Sequence, residues 1–287
     1  MRRSPSRRRF LQLAGAGAAA CAASAPGRVL AASPAPESGV AVAPVPFQLG
    51  MASYTLRLFP VDQAIEMTKR LGLTRICFKD FHLKMDATDA VIAETVAKVK
   101  AAGLDLYAGG VIYMKTEAEV DRAFEYAKAS GMKLIVGVPT YELLAYTNKK
   151  VQEYDIPVAI HNHGPDNPLF PTPQSAYERI AGFDKRMGLC MDAGHTQRSG
   201  IDPSESAEKY FDRLFDVHIK DVSAATAKGT TIEIGRGVID IPKLLRTLKR
   251  LNYKGTLALE FEKDQKDPLP GSAESIGYLK GVIATMA

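Results

Sequence analysis

The residues able to do chemistry in this chain are few, and they fall into four short segments. These are His161-Asn162-His163, Asp192-Ala193-Gly194-His195, His218-Ile219-Lys220-Asp221 and Glu260-Phe261-Glu262. Taking one group from each gives His161, Asp192, His218 and Glu260. Two imidazoles and two carboxylates suit one Mn²⁺, Zn²⁺, Co²⁺ or Fe²⁺ better than Ca²⁺, which prefers an all-oxygen shell. A metal-free polar network is the competing reading. An unpaired buried carboxylate costs several kcal/mol or more, so Glu260 inside a core needs a partner, and one divalent ion serves several such groups at once. Glu262, His163, Lys220 and Lys79 are the candidates for moving a proton beside such an ion. A lysine desolvated next to a metal either acts as base or acid through a lowered pKa or holds an oxyanion. His195, Lys79, His82 and Arg198 are candidate substrate contacts. Lys79-Asp80-Phe81-His82 also reads as a salt-bridged rim, and one arginine does not establish a phosphate.

Something must bring these segments together. From residue 48 short β-type runs alternate with longer amphipathic ones. The expected strands are Leu49–Thr55, Arg75–Phe81, Asp105–Ile112, Lys133–Val138, Pro157–Asn162, Gly188–Asp192, Asp216–Lys220 and Leu257–Phe261. The expected helices are Val61–Leu71, Ala87–Ala102, Glu117–Ser130, Leu143–Tyr154, Gln174–Phe183, Pro203–Leu214, Pro242–Leu251 and Ala273–Met286. Gly72, Gly103, Gly131 and Gly255 stand where helices end before the next strand. Strands alternating with helices imply parallel pairing with right-handed crossovers, and eight units in about 240 residues match a closed (β/α)₈ barrel, an α/β TIM-type fold. A doubly wound open sheet would show a Gly-rich turn after an early strand. The late Gly235-Arg236-Gly237 reads as a tight turn rather than a phosphate site.

The barrel gives the histidines a meaning. His82, His161, His163, His195 and His218 all fall at, or just past, the C-terminal end of an expected strand, and none falls in an expected helix. That face is where such barrels carry their active sites. Side chains alternate along a strand, so Glu260 and Glu262 share one face with Ala258, His161 shares one with His163, and His218 shares one with Lys220.

The first residues are not fold. Ser6-Arg7-Arg8-Arg9-Phe10-Leu11-Gln12 precedes a short small-apolar run, Leu13 to Ala25, the pattern of a twin-arginine export signal. The run is too short for a membrane span. Residues 1–32 are therefore expected to be a signal, residues 33–46 a Pro/Ala-rich linker and residues 47–287 the barrel. Cleavage after Ala31 and lipidation at Cys21 both remain open. The expected location is periplasmic or extracellular. Residues 1–31 hold six arginines and no acid, which leaves 31 basic and 32 acidic residues beyond them, so the +5 net charge of the whole chain belongs to the leader. Without a basic surface there is no nucleic-acid footprint. Cys77 and Cys190 lie in buried strands and are expected to be separate thiols.

On these four ordered segments, the chain resembles the sugar phosphate isomerase/epimerase superfamily, the xylose isomerase-like barrels, over about residues 47–287. The resemblance implies a single-metal set of Glu, Asp, His and Glu, which carries over onto Asp192, His218 and Glu260. At the first position this chain has His161 in place of glutamate. The superfamily's epimerases use two metal-bound glutamates as an acid/base pair, so His161 puts that two-base route in doubt. Whether His161 binds the metal or only fills the position stays open. The resemblance implies an isomerase, epimerase or lyase acting on a sugar, keto-inositol or oxidised glycoside through an enediolate. The alternatives are a non-catalytic carbohydrate-binding barrel and an apurinic endonuclease-like hydrolase, the latter needing a three-metal cluster and a basic DNA surface. The partner expected is a small carbohydrate, with homo-oligomerisation left open.

Overall fold

A computed structural model describes residues 47–286. The expected leader, its cut site, Cys21 and the linker lie outside the described residues. Eight parallel strands form a closed barrel: β1 (Gln48–Ala52), β2 (Arg75–Phe78), β3 (Asp105–Met114), β4 (Leu134–Pro139), β5 (Val158–His161), β6 (Met187–Asp192), β7 (Leu214–Ile219) and, after a small hairpin of β8 (Asp221–Val222) and β9 (Thr231–Ile232), β10 (Thr256–Leu259). The ring closes by parallel pairing of β1 with β10, Gln48 opposite Thr256 and Met51 opposite Leu259. Each strand is covered outside by a helix and inside by its neighbours across the barrel, so β4, β6 and β10 are buried along their whole length.

The helices are α1 (Val61–Arg70), α2 (Asp89–Ala101), α3 (Glu117–Ala129), α4 (Leu144–Tyr154), α5 (Pro173–Ile180), α6 (Ala193–Arg198), α7 (Pro203–Lys209), α8 (Ile241–Arg250) and α9 (Leu269–Ala284). Their starts are chemically marked. Thr116 and Glu119 close a reciprocal capping box on α3, Thr88 caps α2, and Asp240 accepts from the Lys243 amide at the head of α8. Buried Ala64, Ile65 and Met67 lie on the inward face of α1, as their spacing requires. Among the described residues no helix is long and apolar enough to cross a membrane.

Three expectations need correction. β1 ends at Ala52, because Ser53–Leu56 turns into a short 3₁₀ segment. Gly255 does not end α8: the left-handed residue there is Asn252 (φ 57°), while Gly72, Gly103 and Gly131 do take left-handed φ. His195 lies in a helix after all, the six-residue α6.

The Gly235-Arg236-Gly237 segment is a turn wrapped around one buried carboxylate. Asp221 accepts backbone hydrogen bonds from Val222 (2.9 Å), Gly235 (3.0 Å), Gly237 (3.0 Å) and Ile239 (3.1 Å). A Cβ on Gly237 would stand 2.1 Å from Asp221 Oδ1, so only glycine permits this approach. Cys77 and Cys190 are buried, unpaired thiols.

Candidate metal centre

Strand register assembles the site. Asp192 at the end of β6 stands opposite His218 of β7, and His161 at the end of β5 stands opposite Cys190. His218 in turn pairs with Ala258 of β10, and Glu260, two residues on, returns to the same inward face. His161, Asp192, His218 and Glu260 each offer a ligand atom, all four within 4.8 Å of one another, and all four side chains are buried. His161 Nε2 lies 3.2 Å from His218 Nδ1 and 3.6 Å from Asp192 Oδ2, and His218 Nδ1 lies 3.5 Å from Glu260 Oε2.

Neighbouring groups aim these donors. Asp192 Oδ1 caps α6 by accepting from the His195 amide at 2.7 Å, which turns Oδ2 towards the other ligands. That Oδ2 is buried and pairs with the Lys220 ammonium at 3.0 Å without an aligned hydrogen bond. Asn162 accepts from the Asp192 amide at 3.0 Å and donates to Thr196 Oγ1 at 3.2 Å, tying β5 to β6 at the level of the site. His218 points Nε2 away from the site, 3.9 Å from Asp216 Oδ2, with no hydrogen-bond partner. Asp216 is itself held by the Tyr107 hydroxyl at 3.1 Å, and burial pushes its carboxyl up to about 6.

The electrostatics choose between the two readings of Lys220. Lys220 Nζ sits 2.7 Å from Glu260 Oε2, 3.0 Å from Asp192 Oδ2 and 2.5 Å from Glu262 Oε1. Burial works to lower its pKa, but Asp192, Glu260 and Glu262 outweigh it and hold the ammonium well above the ordinary lysine value. Lys220 is therefore a fixed cation rather than a lysine with lowered pKa. Burial would raise the Asp192 and Glu260 carboxyls, yet neighbouring basic groups bring both well below the usual range, His195 and Lys220 for Asp192, Lys220 and His218 for Glu260. Burial lowers His161 to about 4 and, with help from His161, lowers His163 to about 3, so both imidazoles are neutral, as metal ligation or hydrogen bonding requires.

Among the cavities along this face, two meet beside the candidate ligands. One of about 220 Å³ is lined by Tyr54, Lys79, Tyr113, His161, His163 and Glu260, among others. The other, of about 490 Å³, is lined by Arg198, Lys220, Val222, Thr230, Thr231 and Lys263, among others. His195 and Glu262 line both. Lys79 stays at the smaller cavity, with its ammonium on the Val111 carbonyl at 2.6 Å. Arg198 stays at the larger one, bonded to His195 Nδ1 at 3.1 Å and paired with Asp166. His82 is not at either. Its Nε2 donates to the Phe59 carbonyl at 3.1 Å and its Nδ1 accepts from Ser53 Oγ at 2.9 Å, so it braces the loops after β1 and β2. Its expected substrate role is replaced by a structural one. Tyr113, Tyr54, Asn162 and Asp216 were not singled out from the sequence. Tyr113 shares its hydroxyl with His163 Nε2 at 2.7 Å. It lies one residue beyond the expected end of β3 at Ile112, so no sequence signal marked it.

The sequence profile of the xylose isomerase-like TIM barrel family matches residues 61–282. The chain is 26% identical over 147 residues to the rhizopine catabolism protein MocC of Rhizobium meliloti, covering 46% of this chain and 43% of that protein. It is 28% identical over 154 residues to the inosose dehydratase of Histophilus somni, covering 47% of this chain and 51% of the enzyme. The chain thus spans about half the length of these curated relatives. Among solved structures, an uncharacterised protein from Parabacteroides distasonis superposes with a TM-score of 0.65 at 24% identity, over 82% of this chain and 98% of that one.

Proposed function

The chain belongs to the xylose isomerase-like TIM barrel family, and from that premise we propose that it is a metal-dependent lyase or isomerase acting on a keto-sugar, keto-inositol or oxidised glycoside through an enediolate. The observation that carries this reading is the convergence of His161, Asp192, His218 and Glu260 within 4.8 Å at the mouth of the barrel. The donors fit a divalent ion: Asp192 Oδ2 is buried 3.6 Å from His161 Nε2, two imidazole nitrogens face each other, and both carboxylates are held ionised. Nitrogen and oxygen donors in this ratio suit Mn²⁺, Zn²⁺, Co²⁺ or Fe²⁺. Such an ion supplies Lewis-acid stabilisation for the oxygens of an α-hydroxyketone.

The protein's own groups account for the rest. Glu262 is the acidic group that is partly exposed, 32% against 7% for Glu260, and it lines the substrate cavities, so it takes the proton from the carbon next to the carbonyl. Lys220, fixed as an ammonium, holds negative charge developing on the substrate oxygen. His163, neutral and braced by Tyr113, and His195 orient hydroxyls. With His161 at the first position, exchange by two metal-bound glutamates has lost one partner, which favours chemistry on one face of the sugar. The inosose dehydratase and rhizopine catabolism relatives support a carbocyclic or sugar substrate. The twin-arginine pattern supports export, to a compartment where neutral glycans outnumber phosphorylated sugars, and after loading of the metal in the cytoplasm.

Elemental analysis of the purified chain beside an Asp192→Ala/His218→Ala double variant tests the reading. Near one metal per chain, lost in the folded variant, supports it. No metal after incubation with Mn²⁺, Zn²⁺ and Co²⁺ would favour a non-catalytic carbohydrate-binding barrel, and turnover of any keto-sugar would exclude that alternative.

A further inference from the structure

The lower end of the barrel holds a cavity that the candidate metal centre does not use. It measures about 450 Å³ and lies at the N-terminal ends of β2, β3, β4, β7 and β10, beside the turns that lead into β4, β5 and β6. The candidate ligands stand at the other end, His161 and Asp192 being the last residues of β5 and β6. The lower end of such a barrel ordinarily serves stability, and stability alone would fill the space with side chains to the density of an interior. What is left instead falls within the roughly 300–1,000 Å³ of pockets that take small ligands.

Its walls describe a ligand. Tyr107, Leu134, Pro157 and Phe215 give it flat apolar faces. Four more of the lining residues are basic, Arg75, Lys133, Lys185 and Arg186, and among the described residues none of the lining is acidic. The two arginines are already spent. Arg75 places Nε and Nη2 on Asp105 at 3.0 and 2.9 Å and Nη1 on Thr256 Oγ1 at 2.7 Å, with its guanidinium 4.6 Å from the centre of the Tyr107 ring. Arg186 places Nε and Nη2 on Asp184 at 2.9 and 2.7 Å and Nη1 on Asp155 at 2.5 Å. The two lysines are not spent. Lys133 is exposed, with its amide on the Tyr107 carbonyl at 3.0 Å, and among the described residues its side chain has no acidic partner. Lys185 is 81% exposed and reaches Asp212 only at 3.9 Å, an exposed pair that contributes little. A phosphate ester is held by convergent donors, amides at a helix N-terminus or open guanidinium forks. The helices of this barrel end rather than begin at the lower face, and both forks are occupied. Two exposed lysines suit the single charge of a carboxylate.

We propose that this cavity binds a small aromatic carboxylate, with its ring against Tyr107, Leu134, Pro157 and Phe215 and its carboxylate taken by Lys133 and Lys185. The ring supplies affinity and the lysines supply discrimination. A flat ring packs offset or edge-on against Tyr107 and Phe215 and has little conformational freedom to lose on binding. The carboxylate stays at the exposed rim and keeps part of its hydration, so no unpaired charge is buried. An aliphatic acid would forfeit the ring contacts, and a neutral aromatic alcohol would leave both lysines without a partner. This site lies at the other end of the barrel from the metal centre and does not depend on the keto-sugar reading.

The test titrates the full chain, stripped of metal so that no carboxylate can ligate an ion at the mouth, with 2-naphthoate, with 2-naphthalenemethanol and with acetate. Binding of the naphthyl compounds is followed by their fluorescence and that of acetate by competition. The naphthoate should bind about tenfold more tightly than the alcohol, the equivalent of one modest charge contact, and acetate should not displace it. A Lys133→Ala/Lys185→Ala double variant, altered only at exposed positions, should melt as the wild type does and should shrink the preference for the acid to about threefold or less, the residue left by weak surface electrostatics. Lys133→Arg/Lys185→Arg should restore it. No naphthoate binding at millimolar concentration, or equal binding of acid and alcohol, overturns the site. So does naphthoate binding that is unchanged in the double alanine variant, which would place it elsewhere on the chain. Displacement by inorganic phosphate at concentrations where acetate does nothing would overturn the choice of a carboxylate.

Discussion

Replacing Lys220 by methionine removes one positive charge from among three carboxylates. The ammonium lies 2.5–3.0 Å from Glu262, Glu260 and Asp192, and the side chain is 2% exposed. Methionine keeps most of the stem's volume, so the loss is chiefly electrostatic. Breaking a buried ion pair by removing one partner costs about 3–5 kcal/mol, because the remaining charge is left uncompensated. For a domain of this size 1 kcal/mol corresponds to about 2–4 °C, so metal-free Lys220→Met should melt about 6–20 °C below the wild type. A divalent ion neutralises Asp192 and Glu260 as the ammonium does. Metal should therefore restore much of the lost stability and should bind the variant more tightly than the wild type, by tenfold or more. Thermal melts of both proteins in chelator and in excess Mn²⁺, with isothermal titration of the metal, measure each quantity. Equal melting temperatures in chelator, or weaker metal binding by the variant, would refute the idea that Lys220 serves as counter-charge to the carboxylate cluster.

Asp216→Asn removes the charge facing His218 Nε2 at 3.9 Å, and carboxylates in that position typically contribute 10–100-fold to metal affinity; unchanged affinity by titration would show that Asp216 only fills the core. Burial keeps His161 (about 4) and His163 (about 3) below the ordinary 6.5, so as pH falls the unfolded chain takes up protons first. Their contribution is complete above 6.5 and is lost towards 4 and 3, so the melting temperature of the metal-free protein should drop through that window, and a flat profile would contradict their burial as neutral rings. Asp221→Ala strips the acceptor from four backbone amides, a loss of about 3–5 kcal/mol at about 1 kcal/mol for each hydrogen bond. Hydrogen exchange should show the Gly235 and Gly237 amides opening first; protection equal to wild type would mean that the turn holds without the carboxylate.

Much of this was legible along the chain. Eight buried runs separated by amphipathic stretches specify a barrel because strand and helix periodicities are local properties, read over 5 to 15 residues. Placing His161, Asp192, His218 and Glu260 on one face followed from the same local rule, since strand ends in a parallel barrel all point to one mouth. The short α6 escaped because six residues are too few for a helical period to show, and its cap, Asp192, had already been assigned to the metal; in the structure Oδ1 caps α6 while Oδ2 faces His161 Nε2 at 3.6 Å. His82 looked like its four counterparts by position, and only the packing of Ser53 and Phe59 against it revealed that both ring nitrogens are spent. For Lys220 the sequence left two charge states open. Position along a strand depends on neighbours in sequence. The field at an ammonium depends on carboxylates brought in from residues 192, 260 and 262, and the sign of its pKa shift is set by whether their attraction exceeds the loss of solvent, a balance that exists only once the barrel has closed.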